Sequence, residues 1–176
     1  MHTIQRYPSH GHPSHGHPSP GTYEPSRCDP FHDRFGRPLP RGLREQATGL
    51  NWQDFLEEFA PRGAIRLGTW TSTRDHQDSV TCRATIALAD RIISLQATAA
   101  GPIGALTSML YDLGAPVQIV GLHQYVVDDM VMTFLLCEHD DRQCWAYGTG
   151  PTADDANVNA LIAGANRLLS SAGRAR

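Results

Sequence analysis

One order of secondary structure occurs twice after residue 63, and this repeat limits the folds that the chain can adopt. Alternating apolar and polar residues predict three strands in each half, and helical spacing then predicts a helix. The predicted strands cover 64–74, 80–89, 92–99, 115–127, 128–141 and 142–150, and the predicted helices cover 101–114 and 152–173. We therefore predict an α+β domain at 63–172, with two βββα repeats (64–114 and 115–172) related by a pseudo-two-fold axis.

Local signals support the limits of these elements. Pro102 stands at a tolerated first-turn position of the first helix, and Gly114 follows the end of that helix. The pairs at 128–129 and 140–141 are both Asp-Asp, which is typical of hairpin turns. A third pair, at 154–155, begins the last helix, where carboxylates complement the helix dipole. We favour these structural roles over acid–base chemistry for the paired carboxylates.

The residues before the repeats differ from the rest in composition. Residues 1–30 contain the unit Pro-Ser-His-Gly-His twice, and the segment 8–20 has no apolar residue to bury. We therefore expect this tail to be disordered. Its His-x-His pairs could bind a metal weakly, but a low-complexity extension without a metal site is the interpretation we favour.

Residues 31–62 are predicted to be a linker with one short helix. The Arg- and Pro-rich segment 31–43 is expected to be irregular. The helix begins after Asn51, which can cap it with the support of Asp54, and Pro61 follows its end. One face of the helix is aromatic and is expected to pack on the following domain, through Trp52, Phe55, Leu56 and Phe59.

Length, charge and residue types exclude several classes of function. A chain of 176 residues is too short for a (β/α)8 barrel, which takes about 250 residues. The net charge of -3 gives no bulk attraction to nucleic acid or to a membrane, and no stretch is apolar for long enough to span a membrane. All fifteen basic residues are Arg, so chemistry that needs a lysine amine is excluded.

The four cysteines form no C-x-x-C pair. Cys82 and Cys137 stand in apolar segments that resemble strands, where a buried thiol behaves as a small hydrophobic side chain. We expect no disulfide framework and a reducing, cytoplasmic location. The N-terminus also lacks the charged and then apolar order of a secretory signal.

Motifs of catalytic chemistry are missing from the sequence, which has no G-x-S-x-G, H-E-x-x-H or Walker pattern. His123 is predicted to lie in a strand without a Ser or Cys nearby to form a dyad. A structural or edge-exposed histidine is therefore favoured over a catalytic base. We predict no catalytic residues, no metal site and no cofactor.

Two glycine-containing corners stand at equivalent points of the repeats, each between a strand and a helix. The first is Ala99-Ala100-Gly101-Pro102, and the second is Gly148-Thr149-Gly150-Pro151. The free N–H groups at a helix N-terminus can bind a carboxylate or phosphate, and small residues let a ligand approach the main chain. A tight turn without a ligand explains the same residues equally well, and both interpretations stay open.

These corners and the elements around them resemble a known family. The matching segments, in order, are 99–114 (AAGPIGALTSMLYDLG), 117–125 (VQIVGLHQY), 147–150 (YGTG) and 160–169 (ALIAGANRLL). Together they resemble the C-terminal regulatory domain, allosteric and dimerising, of 2-isopropylmalate synthase and of related citramalate synthases. The similarity covers about 64–170 and indicates a stand-alone domain without the catalytic barrel. The segments 39–45 and 51–61 resemble a shortened version of the linker subdomain of that family.

The resemblance implies a non-catalytic homodimer that binds a feedback amino acid near the dimer interface. In the synthase that effector is leucine, which links the domain to leucine and branched-chain amino-acid biosynthesis. A full-length synthase is a further partner that the resemblance implies. Carried over by position, the ligand-binding residues would be Ala99, Ala100, Gly101, Pro102, Ile103, Gly104, Ile119, Leu122, Val126, Val131 and Pro151.

Three differences from the family pattern keep a second hypothesis open. Ala99 replaces the first glycine of the corner, and Ala100 replaces a polar residue. Gly121-Leu122-His123 stands where the family has Asp-Tyr-Tyr. The alternative is a structural dimerisation module whose effector pocket has decayed. An enzyme that condenses acetyl-CoA with a 2-oxo acid is the hypothesis least favoured, because the signatures of the barrel are missing from the sequence.

Overall fold

The computed structural model describes residues 29–74 and 79–173, with the backbone alone at 171–173. The predicted disorder of the tail and the metal-binding alternative for its histidines concern residues outside that part of the chain. At the tail's predicted end, however, Asp29 and Pro30 are helical or cap a helix. The first helix of the described residues therefore begins inside the segment that the sequence assigned to the tail.

The elements follow the predicted order, with two three-stranded antiparallel sheets that are each followed by a helix. Three short helices come first: α1 (Pro30–Phe35), α2 (Arg41–Ala47) and α3 (Trp52–Phe59). The first repeat contains β1 (Ile65–Arg74), β2 (Val80–Leu88), β3 (Arg91–Ala99) and α4 (Pro102–Asp112). The second contains β4 (Gln118–Val127), β5 (Met130–His139), β6 (Arg142–Gly150) and α5 (Ala153–Gly173). The strand orders are β1-β2-β3 and β4-β5-β6, which confirms the α+β fold with two βββα repeats.

A bulge at the same place in both leading strands shows how closely the repeats correspond. In β1 the register shifts between Leu67 and Trp70, and in β4 it shifts between Ile119 and Gly121. Because of the extra residue, two side chains that are three positions apart in the sequence lie on the same face of the sheet. Leu67 and Trp70 thus share the inner face of the first sheet, and Ile119 and Leu122 share the inner face of the second.

The inner faces of both sheets and the two long helices enclose one hydrophobic core. The first sheet contributes Val80, Cys82, Ala84 and Ile86; the second contributes Leu135, Cys137 and Ala146; α4 contributes Ala105, Leu106, Met109 and Leu110; and α5 contributes Val158, Leu161, Ala165 and Leu168. The predicted burial of Cys82 and Cys137 is confirmed. On the apolar face of α4, Leu106 and Leu110 are buried, whereas Ile103 and Leu113 are half-buried.

The prediction that 31–43 is irregular is wrong, because two helices form there. Asp29 caps α1 by accepting hydrogen bonds from the N–H groups of Phe31 at 3.0 Å and His32 at 3.1 Å, and Gly36 ends the helix with a φ of 67°. The second carboxylate oxygen of Asp29 accepts from the N–H of Leu39 at 2.9 Å. One carboxylate therefore stabilises both the start of α1 and the segment that leads to α2, and it belongs to a residue that precedes the predicted linker.

The prediction for α3 is confirmed. Asn51 caps the helix by accepting from the N–H of Asp54 at 2.9 Å. Phe55 and Phe59 are buried, and α3 packs on the domain that follows. Together with α1 and α2, it covers the outer face of the second sheet in a separate cluster of apolar residues: Phe31, Leu39, Leu43, Phe55, Phe59, Met132, Phe134, Trp145 and Tyr147.

The hairpin turns of the second sheet are those that the sequence predicted. Asp128 and Asp129 have φ values of 49° and 62°, and Asp140 and Asp141 have values of 48° and 59°. Two successive residues in the left-handed region form the turn whose twist matches a tight hairpin, and aspartate tolerates that region better than most residues do. These two carboxylate pairs therefore have a structural explanation.

Two neighbouring residues of α5 join the repeats and the N-terminal helices. The side-chain amide of Asn166 accepts from the N–H of Ile65 and donates to its carbonyl, both at 2.9 Å. Arg167 donates to the carbonyl of Trp145 and to the carboxylate of Glu58, and its guanidinium carbon lies 4.7 Å from the centre of the Phe59 ring. The Asn-Arg pair in the matching segment 160–169 thus has a structural role here.

Candidate functional site

The N-terminus of α4 is uncapped and carries no opposing charge. Its N-cap is Gly101, which has no side chain to accept a hydrogen bond, and its first turn contains no acidic residue. Pro102 lacks an N–H, and the N–H groups of Ile103 and Gly104 have no acceptor within the helix. The first turn therefore presents donors and a positive dipole end, which together favour an anion.

Small residues leave the main chain accessible at this place, which we call the α4 corner (residues 99–104). No atom lies within 4 Å of the position that a Cβ on Gly101 would take. Gly101 has φ -170° and ψ 170°, so its conformation is open to any residue. Ala100 is exposed, and a Cβ on Gly104 would lie 3.2 Å from the Cβ of Ala99. The α4 corner is an open surface and not a closed pocket.

The equivalent place in the second repeat, the α5 corner (residues 148–151), is closed by the helix itself. A Cβ on Gly150 would lie 2.5 Å from the Cβ of Asp155 and 2.8 Å from the backbone nitrogen of Ala156. A Cβ on Gly148 would meet the main chain of Ala156 and Ala160. Both glycines are therefore explained by close packing of α5 on β6, which is the turn-and-packing interpretation of this corner.

The N-terminus of α5 also satisfies its own donors. The hydroxyl of Thr152 accepts from the N–H of Asp155 at 3.1 Å and donates to the carboxylate of the same residue at 2.6 Å. That carboxylate accepts in addition from the indole N–H of Trp70 at 3.3 Å. With Asp154 and Asp155 in the first turn, this end of α5 repels an anion. The two corners therefore differ in chemistry, although their sequences look alike.

The predicted strand residues line the inner face of the second sheet near its edge. Val126 pairs with Val131, and Val131 pairs with Gly150, so these residues and the adjoining Pro151 lie together at one end of the sheet. Leu122 and Val126 are 42% and 68% exposed. We call these two residues the β4 strip, because they form an apolar surface on β4 that α5 leaves uncovered.

A polar group that the sequence did not reveal lies on the same face, between the two residues of the β4 strip. The side-chain N–H2 group of Gln124 donates to the hydroxyl of Thr133 at 2.9 Å and to the carbonyl oxygen of Asn157 at 2.8 Å. Thr133 also donates to Asn157, at 3.0 Å. Asn157 lies in the second turn of α5, and only the packing of that helix brings the three side chains together.

The structure places the eleven predicted residues in two groups. Six of them form the α4 corner at the end of the first sheet, and the remaining five belong to the second sheet and the α5 corner. Within the second group, Ile119 stands apart: it pairs with Cys137, at the opposite end of β4 from Val126. Seven residues of a strand separate Ile119 from Val126, which is about 23 Å.

Several surface cavities lie elsewhere, and three of them are formed by residues of the two repeats. One of about 300 Å³ is lined by Thr107, Tyr111, Pro116, Val117, Gln118, Glu138, His139 and Asp140. An adjacent one of about 210 Å³ is lined by residues of the α4–β4 loop, the β5–β6 hairpin and α5. The third, of about 350 Å³, lies on the outer face of the first sheet. These cavities and the predicted ligand residues do not overlap.

The described residues contain no arrangement typical of catalysis or metal binding. Within 29–74 and 79–173, no group of three or more His, Cys, Asp and Glu side chains could hold a metal ion. Burial raises the pKa of Cys137 to about 12 and that of Tyr147 to about 12, so both groups stay protonated at neutral pH. His123 is exposed on the edge strand, with its ring centre 5.9 Å from that of Trp145.

Among the described residues, no helix is both long enough and apolar enough to cross a bilayer.

Comparison with known proteins finds relatives of one kind. No family model matches the chain. A 2-isopropylmalate synthase from Pseudarthrobacter chlorophenolicus is 24% identical over 132 residues, which are 69% of this chain and 23% of that protein. The enzymes of the same name from Clavibacter michiganensis and Clavibacter sepedonicus are 25% identical over 131 residues and 24% identical over 138 residues. They share 67% and 71% of this chain with 22% and 24% of their own lengths.

These matches confirm the resemblance to 2-isopropylmalate synthase. The chain spans about a quarter of the length of the curated relatives it matches.

Proposed function

We propose that the chain is a regulatory-type domain of the 2-isopropylmalate synthase kind that binds a small amino acid at the α4 corner and acts without catalysing a reaction. Leucine is the first candidate for the ligand, followed by the other branched-chain amino acids. The observation that carries the proposal is the uncapped N-terminus of α4 beside an open glycine, in a chain with partial similarity to 2-isopropylmalate synthases.

The chemistry of the α4 corner suits the carboxylate of an amino acid. The N–H groups of Ile103 and Gly104 and the positive end of the helix dipole favour an anion. The side chains of Ala99 and Ile103, both half-buried, offer apolar surface to an aliphatic side chain. Regulation additionally requires a partner or a second conformation, because a ligand shifts activity only through different affinities for two states.

Substitutions of Gly101 test the proposal with little risk to the fold. Its backbone is extended, and space is open around the Cβ position, so Gly101→Ala and Gly101→Asp should both fold. An aspartate at the N-cap accepts from the free N–H groups and adds a negative charge, which stabilises the helix while opposing a carboxylate ligand. We expect Gly101→Asp to keep or raise the melting temperature and to weaken binding by at least about ten-fold, or about 1.4 kcal/mol.

Calorimetric titration with leucine, isoleucine and valine measures this binding. The control variants are Gly101→Ala, which keeps the donors free, and Gly101→Asn, which caps the helix without a charge. Heat from at least one amino acid, lost in Gly101→Asp and kept in Gly101→Ala, supports the proposal. If none of the three ligands gives heat with the unsubstituted chain, the chain is not a sensor of branched-chain amino acids.

A structural dimerisation module is the second candidate function, and the β4 strip favours it. Two large apolar side chains, Leu122 and Val126, are exposed on the same face of an edge strand with Gln124 between them, and burial against another chain would remove them from water. We propose a second copy of this chain as the occupant, with a full-length synthase as the alternative partner. The alanines at positions 99 and 100 fit this candidate too, since a pure dimerisation module has no need of an effector.

Sedimentation of the Val126→Glu variant tests whether the β4 strip belongs to a dimer interface, and Ile92→Glu is the matched control. Ile92 is 77% exposed and lies on the outer face of the first sheet, so a charge there changes the same amount of apolar surface away from the strip. We expect a dimer for the unsubstituted chain and for Ile92→Glu, and a monomer for Val126→Glu. Equal behaviour of the two variants would exclude the β4 strip from the interface.

A further inference from the structure

Two cysteines face each other in the second sheet. Cys137 of β5 pairs directly with Cys144 of β6, two rungs from the turn that joins these strands. Residues directly opposite in antiparallel strands have Cα atoms about 4.5–5.5 Å apart. A disulfide spans Cα separations of about 4.4–6.8 Å, so the strands already hold the two residues at a separation that a disulfide can bridge.

Both sulfur atoms approach the same glycine of α5. A Cβ on Gly164 would lie 2.5 Å from the Sγ atom of Cys137, and the Sγ atom of Cys144 lies 3.9 Å from the carbonyl oxygen of Gly164. The two side chains therefore share the inner face of the sheet and converge below one point of the helix. Because Gly164 has no side chain, the Sγ atom of Cys137 can occupy the space beneath it.

The two thiols differ in their access to solvent. Cys137 is fully buried, whereas Cys144 is half-buried. A reagent from solution therefore reaches Cys144 first, and Cys137 is positioned to complete a reaction that begins there. Cys82, the third free cysteine of the described residues, is buried in the first sheet, and its cross-strand partner in β3 is Ala97.

We propose that Cys137 and Cys144 form a reversible oxidation site, which closes a cross-strand disulfide when the chain meets a low-molecular-weight disulfide such as oxidised glutathione. The thiolate of Cys144 attacks one sulfur of that reagent, whose S–S bond breaks and releases one thiolate. The thiolate of Cys137 then attacks the Sγ atom of Cys144 in the mixed disulfide and releases the second thiolate. The cysteines lose two electrons and two protons, and the reagent is reduced to two thiols.

The local environment sets the rate of this exchange. Burial raises the pKa of both thiols, that of Cys137 to about 12, and Arg167 and Arg142 partly oppose the effect at Cys144. Because the thiolate is the attacking species, we expect the reaction to accelerate as the pH rises from 7 towards 9. The sulfur of Cys144 is half-buried and therefore open to a reducing thiol, and accessible disulfides are reduced more readily than buried ones, which makes the site reversible.

Peptide mapping after oxidation tests the proposal on the intact chain. Arg142 stands between the two cysteines, so trypsin separates them, and all four cysteines fall on different peptides: 28–34, 75–83, 92–142 and 143–167. The chain is incubated with oxidised glutathione, alkylated under denaturing conditions and digested. We expect peptides 92–142 and 143–167 to appear linked, with a loss of two hydrogen atoms and of both alkylation sites, and to separate again after treatment with dithiothreitol.

Peptide 75–83 provides the internal control, because Cys82 is buried without a cysteine opposite it and should stay alkylatable. The variant Cys144→Ser should leave Cys137 alkylatable under the same conditions, and Cys82→Ser should leave the link between the other two peptides unchanged. Glutathione attached to Cys144 without a link to Cys137 would overturn the proposal. Links distributed equally among all four cysteines would overturn it too, because they would indicate exchange in unfolded chains.

Discussion

The two sheets have the same strand order, but their outer faces differ in polarity. In the second sheet the outer face is aromatic and is covered by the three N-terminal helices. In the first sheet most outward side chains are polar, and six of them bond to one another across the strands: Thr69 to Thr85 at 3.1 Å, Thr81 to Thr98 at 2.8 Å and Arg83 to Gln96 at 2.8 Å. A repeated fold therefore leaves each copy free to bury or to expose its second face.

The two corners likewise occupy equivalent positions and differ in chemistry. One βββα unit presents an uncapped helix with space around its N-cap, and the other presents a helix that caps itself and fills the corner with its own main chain. Divergence between the repeats has thus left one corner with the features of an anion site. The same divergence has made the second sheet the attachment surface for the linker.

Truncation of equivalent outward-facing side chains should give the largest difference in stability between the two sheets. Phe134 and Arg83 occupy equivalent positions in the two repeats. Each directly precedes the residue that pairs with the leading strand just after its bulge: Leu135 pairs with Leu122, and Ala84 pairs with Trp70. Phe134 is fully buried under the helices, whereas Arg83 is exposed. We expect Phe134→Ala to lower the free energy of unfolding by about 3–5 kcal/mol, and Arg83→Ala to change it by less than about 0.5 kcal/mol. Urea unfolding of both variants measures this difference, and equal losses would contradict it.

Addition of one methyl group should separate the two corners. Gly150→Ala places a Cβ against Asp155 and Ala156, and we expect a loss of about 1–3 kcal/mol in the free energy of unfolding because α5 must shift. Gly101→Ala meets open space, so we expect little loss of stability. Thermal unfolding of the two variants side by side gives the result. A destabilised Gly101→Ala would show that the α4 corner is packed as tightly as its counterpart.

Alkaline pH should lower the stability of the fold, because the second repeat buries a thiol and a phenol that can lose their protons. Cys137 and Tyr147 have pKa values raised by burial from ordinary values of 9.0 and 10.0 to about 12. In the unfolded chain these groups lose their protons from about pH 9 and 10, while the folded chain still holds them. Stability therefore falls as pH rises from about 9 to 12, by at most about 1.4 kcal/mol per pH unit for each group.

Tyr147→Phe sharpens this test, since it removes one of the two groups and keeps the ring. Its stability should decline less between pH 10 and 12 than that of the unsubstituted chain, as measured by urea unfolding at each pH. Parallel curves for the two proteins would mean that Tyr147 ionises as easily in the folded state as in the unfolded state.

The sequence predicted the elements that depend on local pattern. The strands, α4, α5, the Asn51 cap and both Asp-Asp turns follow from alternation, helical spacing and turn chemistry, which act over a few residues. Helices α1 and α2 were missed because six- and seven-residue helices are marginal alone and depend on tertiary contacts. Here those contacts are the Asp29 carboxylate and the aromatic cluster on the second sheet.

The site was harder to predict than the fold. The corners A-A-G-P and G-T-G-P look equivalent in sequence, and only the depth at which α5 packs on β6 tells a covered glycine from an open one. The group formed by Gln124, Thr133 and Asn157 was missed for a similar reason. Each of these residues is ordinary on a surface, and they meet only through the register of β4 with β5 and the position of α5.

The contacts of α5 also bear on how the chain folds. Asn166 bonds to Ile65 across 101 residues and Arg167 to Glu58 across 109. The first strand and α3 therefore lack these hydrogen-bond partners until α5 is in place. Contacts of such sequence separation slow folding, because the intervening chain must be ordered before they form. During synthesis, the N-terminal helices and the first sheet emerge early and must wait for α5. We therefore expect the domain to complete its fold in one late step, and not repeat by repeat.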